Sequence, residues 1–105
     1  MKEPQFKVLL ELSAENTITQ RALSKKVGLS LGSVNYVIKA LIQKGYVKAS
    51  RFKNSDNKLG YAYILTPEGI KEKIRQTETF MKRKLEEYER LKAELEKSLN
   101  SKDSS

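Results

Sequence analysis

The sequence predicts a mainly α fold with a small β hairpin, followed by one long C-terminal helix. Three observations predict it. Several segments space their apolar residues three and four apart, the stripe of a helix with one buried face. Two short runs, "YVKASRF" and "YAYILT", are rich in β-branched and aromatic residues and flank the polar "KNSDNKLG", the pattern of a hairpin. From Pro67 onward the helical pattern meets no convincing stop before Asn100.

The elements follow in order. Proline tolerates the first helical position, so a first helix starts at Pro4 and runs to about Ala14. Phe6, Leu9 and Leu10 make one apolar stripe and Val8 and Leu12 a second, so this helix needs neighbours on two sides. "ENTIT" interrupts the pattern, and Thr19 suits the N-cap of a short helix from Gln20 to Val27 that buries Ala22, Leu23 and Val27. In "GLS", Gly28 can take a positive φ and end that helix, Leu29 drops into the core, and Ser30 caps the next. Two short helices joined in this way form a helix-turn-helix. The second of them, from Ser30 to Lys44, has its apolar stripe at Val34, Val37, Ile38, Leu41 and Ile42, and Gly45 ends it. After the hairpin, Thr66 caps a last helix with Pro67 at its first position.

That last helix spans about 33 residues and roughly 50 Å. Ile70, Ile74, Met81, Leu85, Tyr88, Leu95 and Leu99 form a stripe with Phe80 and Leu91 beside it, and Glu and Lys fill the other faces. A lone amphipathic helix of this length exposes apolar surface. A dimerisation helix built on Ile74, Met81, Leu85, Tyr88 and Leu95 is therefore favoured over one folded back on its own domain. Thr77 and Lys92 interrupt the heptad and Leu91 offers a competing register, so parallel and antiparallel pairing both stay open. The terminal "NSKDSS" reads as a disordered tail. The expected organisation is a head over 1–66, a long helix over 67–99 and a tail over 100–105.

Composition narrows the function. The 105 residues suffice for one small domain with an appendage, and 38% apolar content is low for a fully compact globule. The run "VLLEL" is broken by a glutamate and lacks a cleavage pattern, and no apolar run of about 18 residues occurs, so neither membrane span nor signal peptide is expected. The expected location is cytoplasmic. With no cysteine and no histidine, disulfides, thiolate and imidazole metal ligands and a His general base are excluded. "SRFK" and "SDN" match two elements of penicillin-binding enzymes, but they lie two residues apart in one hairpin and no K-T-G occurs. No catalytic residue, metal or cofactor is expected, and the "GLSLG" spacing is a turn and helix start.

The formal charge of +8 is unevenly placed. Residues 1–66 hold 11 Lys+Arg against 4 Asp+Glu, a net of +7, whereas 67–105 hold 10 against 9, a net of +1. A basic head beside a nearly neutral helix raises the prior for nucleic acid. The helix from Ser30 presents Gly32, Ser33, Asn35, Tyr36, Lys39 and Gln43 on its polar face, and no acidic residue occurs between Ser30 and Val47. Ordinary solvated faces mix both signs of charge; this one is suited to meet something negative.

Helix, helix-turn-helix, two-stranded hairpin, long helix: this order is a winged helix-turn-helix. The residues "ITQRALSKKVGLSLGSVNYVIKALIQKGYV" with "LTPEG" resemble the MarR-type transcriptional regulators over residues 4–99, and the short chain with one long final helix looks like their small EPS-associated branch, linked by name to exopolysaccharide gene clusters. The resemblance implies that the helix from Ser30 enters the major groove while the hairpin, as a wing, reaches towards the minor groove. Groove chemistry agrees. Asn35 can pair bidentately with adenine, Ser33 can bond a base or phosphate, Tyr36 can meet a thymine methyl, and Gly32 lets the backbone approach. Ser30 belongs to the same helix start. Gln20 and Arg21, with Lys39, Arg51, Lys53 and Lys58, would hold phosphates and set register without reading sequence. The plainer reading leaves Asn35 and Ser33 solvated and Tyr36 flat on its own domain.

The chain departs from typical members in its wing, where "SDNKLG" carries Lys58 in place of arginines, a point contact instead of a planar fork. It also lacks the additional helices that shelter a phenolic effector, which argues against a small-molecule effector. The expected function is a sequence-specific double-stranded DNA-binding transcriptional regulator, acting as a homodimeric repressor on a palindromic site. The alternative is a winged-helix protein interaction module with a coiled-coil tail and no DNA role. Structured RNA is a weaker third reading, since few aromatics are available to stack bases.

Overall fold

Capping and turn chemistry set the boundaries of the first three helices. The computed structural model describes residues 1–53 and 59–103. Helix α1 (Glu3–Ala14) has Pro4 in its first turn, where a missing N–H costs nothing. Helix α2 (Gln20–Val27) begins at Thr19, whose hydroxyl accepts the N–H of Ala22 at 3.1 Å, and ends at Gly28 with φ 71°. Helix α3 (Leu31–Gln43) starts at Ser30, whose hydroxyl accepts the N–H of Ser33 at 3.1 Å. Gly45, at φ 80°, turns the chain into strand β1 (Val47–Lys53). Strand β2 (Leu59–Leu65) pairs antiparallel with β1, from Val47 opposite Leu65 to Lys53 opposite Leu59. Helix α4 (Pro67–Asp103) completes the mainly α chain with its small hairpin, the fold class the sequence predicts.

The chain forms two compact units, Met1–Ile74 and Arg75–Ser105. In the first, Val8, Leu9, Leu12, Ile18, Leu23, Val34, Val37, Ile38, Leu41, Val47 and Tyr63 make one core. The two stripes of α1 serve as expected, since α1 touches α2, α3 and β2. Two expected core positions are corrected. Ala22 is exposed, because α2 aims Leu23 inward and its neighbour lies about 100° around the helix. Ile42 is 38% exposed for the same reason, being one residue off the line of Ile38 and Leu41.

The β1–β2 hairpin is tied to the helices at two points. The Tyr63 N–H donates to the Asn16 carbonyl in the α1–α2 connection at 2.8 Å. At the base of the hairpin, Thr66 closes on the turn after α3: its N–H donates to the Tyr46 carbonyl at 3.0 Å, and its hydroxyl donates to the Gly45 carbonyl. The same hydroxyl accepts the Gly69 N–H at 3.0 Å and so caps α4. Gly69 is required there for space. A Cβ at this position would stand 1.9 Å from the Tyr46 oxygen, a backbone atom with no freedom to yield.

In the second unit, α4 continues to Asp103, past the expected end at Leu99, because Asn100, Ser101 and Lys102 include neither glycine nor proline. Residues 104 and 105 of the expected tail lie outside the described residues. Met81, Leu85, Tyr88, Leu91, Leu95 and Leu99 are all 53–70% exposed. Among the described residues no helix is long and apolar enough to cross a membrane.

The Gly69 contact gives a direct test. Gly69→Ala adds a methyl group that collides with backbone, and overpacking of this kind costs about 1–3 kcal/mol. A denaturant midpoint indistinguishable from that of the original chain would show that α4 does not start against Tyr46.

Candidate nucleic-acid interface

The inward face of α3 is used up by Val34, Val37, Ile38 and Leu41, all buried. At about 100° per residue, the opposite direction belongs to Gly32, Tyr36, Lys39 and Gln43, and all four are exposed. Tyr36 is 72% exposed. Its ring therefore does not lie flat on its own domain. Ser33 stands on one flank of this face and Asn35, half-buried, on the other. A Cβ on Gly32 would meet nothing within 4 Å, so the helix backbone there is open to a close approach.

Ser30 and Gln20 are both engaged within the chain, Ser30 as the helix cap that the sequence predicts. The Ser30 hydroxyl is occupied as the N-cap of α3 and donates to the Ser33 hydroxyl at 2.9 Å, so its first role is to start the helix. Gln20, expected to hold a phosphate, turns inward: its Nε2 donates to the Tyr63 hydroxyl at 3.1 Å and its Oε1 accepts from Asn35 Nδ2 at 3.2 Å. A side chain bonded at both ends is a support for Asn35, not a free phosphate ligand. Arg21 is exposed at the first turn of α2.

On the hairpin, alternation places Arg51 and Lys53 on the face of β1 that also carries Val47. Arg51 lies directly opposite Tyr61 and its guanidinium sits 5.8 Å from the centre of that ring. Tyr61 in turn stacks on Tyr63 at 6.3 Å between centroids. A continuous series of contacts thus joins Asn35, Gln20, Tyr63, Tyr61 and Arg51. Lys53 is exposed. Lys58, with Asn54, Asp56 and Asn57 of the expected loop, lies outside the described residues.

Sequence reasoning missed several of these participants. Tyr61 and Tyr63 were legible only as hairpin aromatics, although their spacing of two places both on one face. Lys2, Gln5 and Lys44 share an open groove with Ser30, Gly32, Ser33 and Tyr36, an adjacency that only the tertiary structure creates. Glu11 of α1 and Glu15 just after it both pair with Lys26 near the end of α2, at 3.6 and 3.7 Å. From Asn16 to Ser55 the chain contains no acidic residue at all.

Comparison with known proteins places this architecture. Residues 1–48 match the family model described as winged helix-turn-helix DNA-binding. No curated protein sequence matches the chain. Among solved structures, a mutant of MepR from S. aureus is similar at 26% identity and a TM-score of 0.66, over 96% of this chain and 80% of that one. The PcaV transcriptional regulator from Streptomyces coelicolor is similar at 30% identity and a TM-score of 0.59, over 70% of this chain but only 53% of its own length. A MarR/EmrR family transcriptional regulator from Acinetobacter sp. ADP1 shares the fold at 21% identity and a TM-score of 0.66, over all of this chain and 78% of that one. The class is therefore a winged helix-turn-helix with a MarR-like fold. The chain spans about half the length of PcaV and four fifths of MepR.

Gly32 separates stability from contact. Gly32→Ala fills open space and raises helix propensity, so stability should increase by up to about 1 kcal/mol. If α3 lies in a groove, the same methyl group lowers affinity for duplex DNA. A variant that is more thermostable and binds equally well would remove Gly32 from the interface.

Proposed function

We propose that this chain is a sequence-specific, double-stranded DNA-binding transcriptional regulator that acts as a homodimeric repressor on a palindromic site. The observation that carries the reading is the outward face of α3, free of acidic residues and rigidly presented by a fully buried inner face. A helix fits the major groove, where Asn35, Ser33 and Tyr36 meet base edges and Lys39 meets phosphate. Arg21 reaches phosphate from α2, and Arg51 and Lys53 from the hairpin. Similarity to regulators of MarR-like fold, and the winged helix-turn-helix match over residues 1–48, support the same reading.

Dimerisation belongs to α4. Met81, Tyr88 and Leu95 recur every seven residues, with Leu85 and Leu99 four further on, and all are exposed. Pairing this stripe with that of a second copy removes apolar surface from water at about 25 cal/mol per Å². Ile74, 55% exposed, extends the series towards the head. Two copies then present two α3 helices to half-sites about one helical turn, roughly 10 base pairs, or a multiple apart. Occlusion of a promoter by such a dimer is repression, and the resemblance to the EPS-associated branch nominates exopolysaccharide gene clusters as targets for selection of bound genomic fragments.

Phosphate-driven binding releases counterions. With Arg21, Lys39, Arg51 and Lys53 each neutralising a phosphate on both protomers, log affinity should fall with log salt at a slope of up to about −7. A duplex titrated at several salt concentrations with a slope near zero would overturn the DNA reading. For the dimer, Leu85→Asp places a charge in the paired stripe, and light scattering should report a monomer that retains the melting transition of its head. Should the unaltered chain already be monomeric at micromolar concentration, α4 is not the dimer interface.

A further inference from the structure

We propose that Tyr63 is a positioning residue for base reading: through Gln20 it fixes the carboxamide of Asn35, and so sets the preference of the chain at one base pair of each half-site. The inference rests on the reading of α3 as the groove-inserted helix.

Tyr63 is a fixed point. Its ring belongs to the core, the residue is only 7% exposed, and its backbone N–H is bound to the Asn16 carbonyl at 2.8 Å. Its hydroxyl accepts Gln20 Nε2 at 3.1 Å, which aims Gln20 Oε1 at Asn35, and that oxygen accepts Asn35 Nδ2 at 3.2 Å. A free glutamine on a helix surface samples many rotamers; one bonded at both ends does not. The consequence for Asn35 follows from counting. Its carboxamide has two N–H donors and an acceptor oxygen, and Gln20 takes one donor. Base reading requires this to be the N–H trans to Oδ1, since the cis N–H and Oδ1 are the pair that adenine N7 and N6–H need. Gln20 then leaves the base-reading edge complete and holds its plane, so less ordering is needed at the moment of binding.

Tyr63→Phe keeps the core ring and deletes only the hydroxyl. Gln20 loses its distant anchor, and Asn35 its fixed partner. Gln20→Met removes both hydrogen bonds at similar volume without touching the core, and keeps the test open should Tyr63→Phe fail to fold. The experiment selects bound sequences from a random-sequence duplex library with the purified full chain, Asn35→Ala, Tyr63→Phe and Gln20→Met, and reads base preference position by position. The expected result is one position in each half-site at which Asn35→Ala abolishes the preference and the other two variants weaken it, by roughly 2- to 10-fold, the worth of one neutral hydrogen bond. Loss confined to that position distinguishes orientation from general destabilisation, which would flatten every position alike. If Asn35→Ala erases the preference but Tyr63→Phe and Gln20→Met leave it intact, or weaken all positions evenly, Tyr63 does not position the reader. If the unaltered chain selects no motif, or Asn35→Ala selects the same one, the underlying reading of α3 has failed instead.

Discussion

The rotation of α3 about its own axis is the constraint on which the interface depends, and four buried aliphatic side chains set it. Val34, Val37, Ile38 and Leu41 fall within about half a turn of one another on the helix and all are buried. Burying such a side chain is worth about 1.5–3 kcal/mol. Turning the helix by one residue would bring Tyr36 or Lys39 towards the core and expose part of this set, at a cost comparable to the whole stability of a small domain. The polar residues on the other side need no interactions of their own to be presented. Ser30 and Gly45 only decide where the rod begins and ends.

The hairpin depends on that rod through few but specific contacts. The Asn16 carbonyl receives the Tyr63 N–H, and Thr66 bonds twice to the turn that follows α3. Beyond the tie at Tyr63, stacked Tyr63 and Tyr61 carry the order of the core outward to Arg51. A guanidinium over an aromatic face gains about 0.5–1 kcal/mol at an exposed site, enough to favour one placement of a long side chain without tying up its donors. Arg51 is thereby a preorganised cation, whereas Lys53, two residues further along the same face, has no ring opposite it among the described contacts.

Much of this fold was legible because each boundary has a local cause. Thr19, Gly28, Ser30, Gly45 and Thr66 sit at the transitions that their caps and positive φ values require, and periodicity identified every buried position of α3 but also included exposed Ile42. Short α2 was harder. Eight residues give too few turns to distinguish Leu23, which is buried, from Ala22, which is not. The close approach at Gly69 was hidden inside a segment that reads simply as a helix start, because its cause is the Tyr46 carbonyl more than twenty residues earlier. The site divides in the same way. Exposure of Tyr36 and Lys39 follows from helical periodicity, whereas that of Arg51 does not follow from alternation, which puts it on the face of buried Val47. The inward turn of Gln20 is not legible either, since its partners Asn35 and Tyr63 lie 15 and 43 residues away and only the assembled head brings them within reach.

The single bond between Asn16 and Tyr63 also bears on how the protein behaves at high concentration. A two-stranded hairpin has an open border on each side, and along such a border unpaired N–H and C=O groups invite a strand from another molecule. In β2 the outward-pointing N–H groups alternate along the strand, and the Asn16 carbonyl occupies the one at Tyr63, near its middle. An incoming strand therefore finds no uninterrupted ladder along β2, even beside exposed Tyr61 and Ile64. One carbonyl from the α1–α2 connection thus serves as a plug against edge-to-edge aggregation on the β2 side of the hairpin.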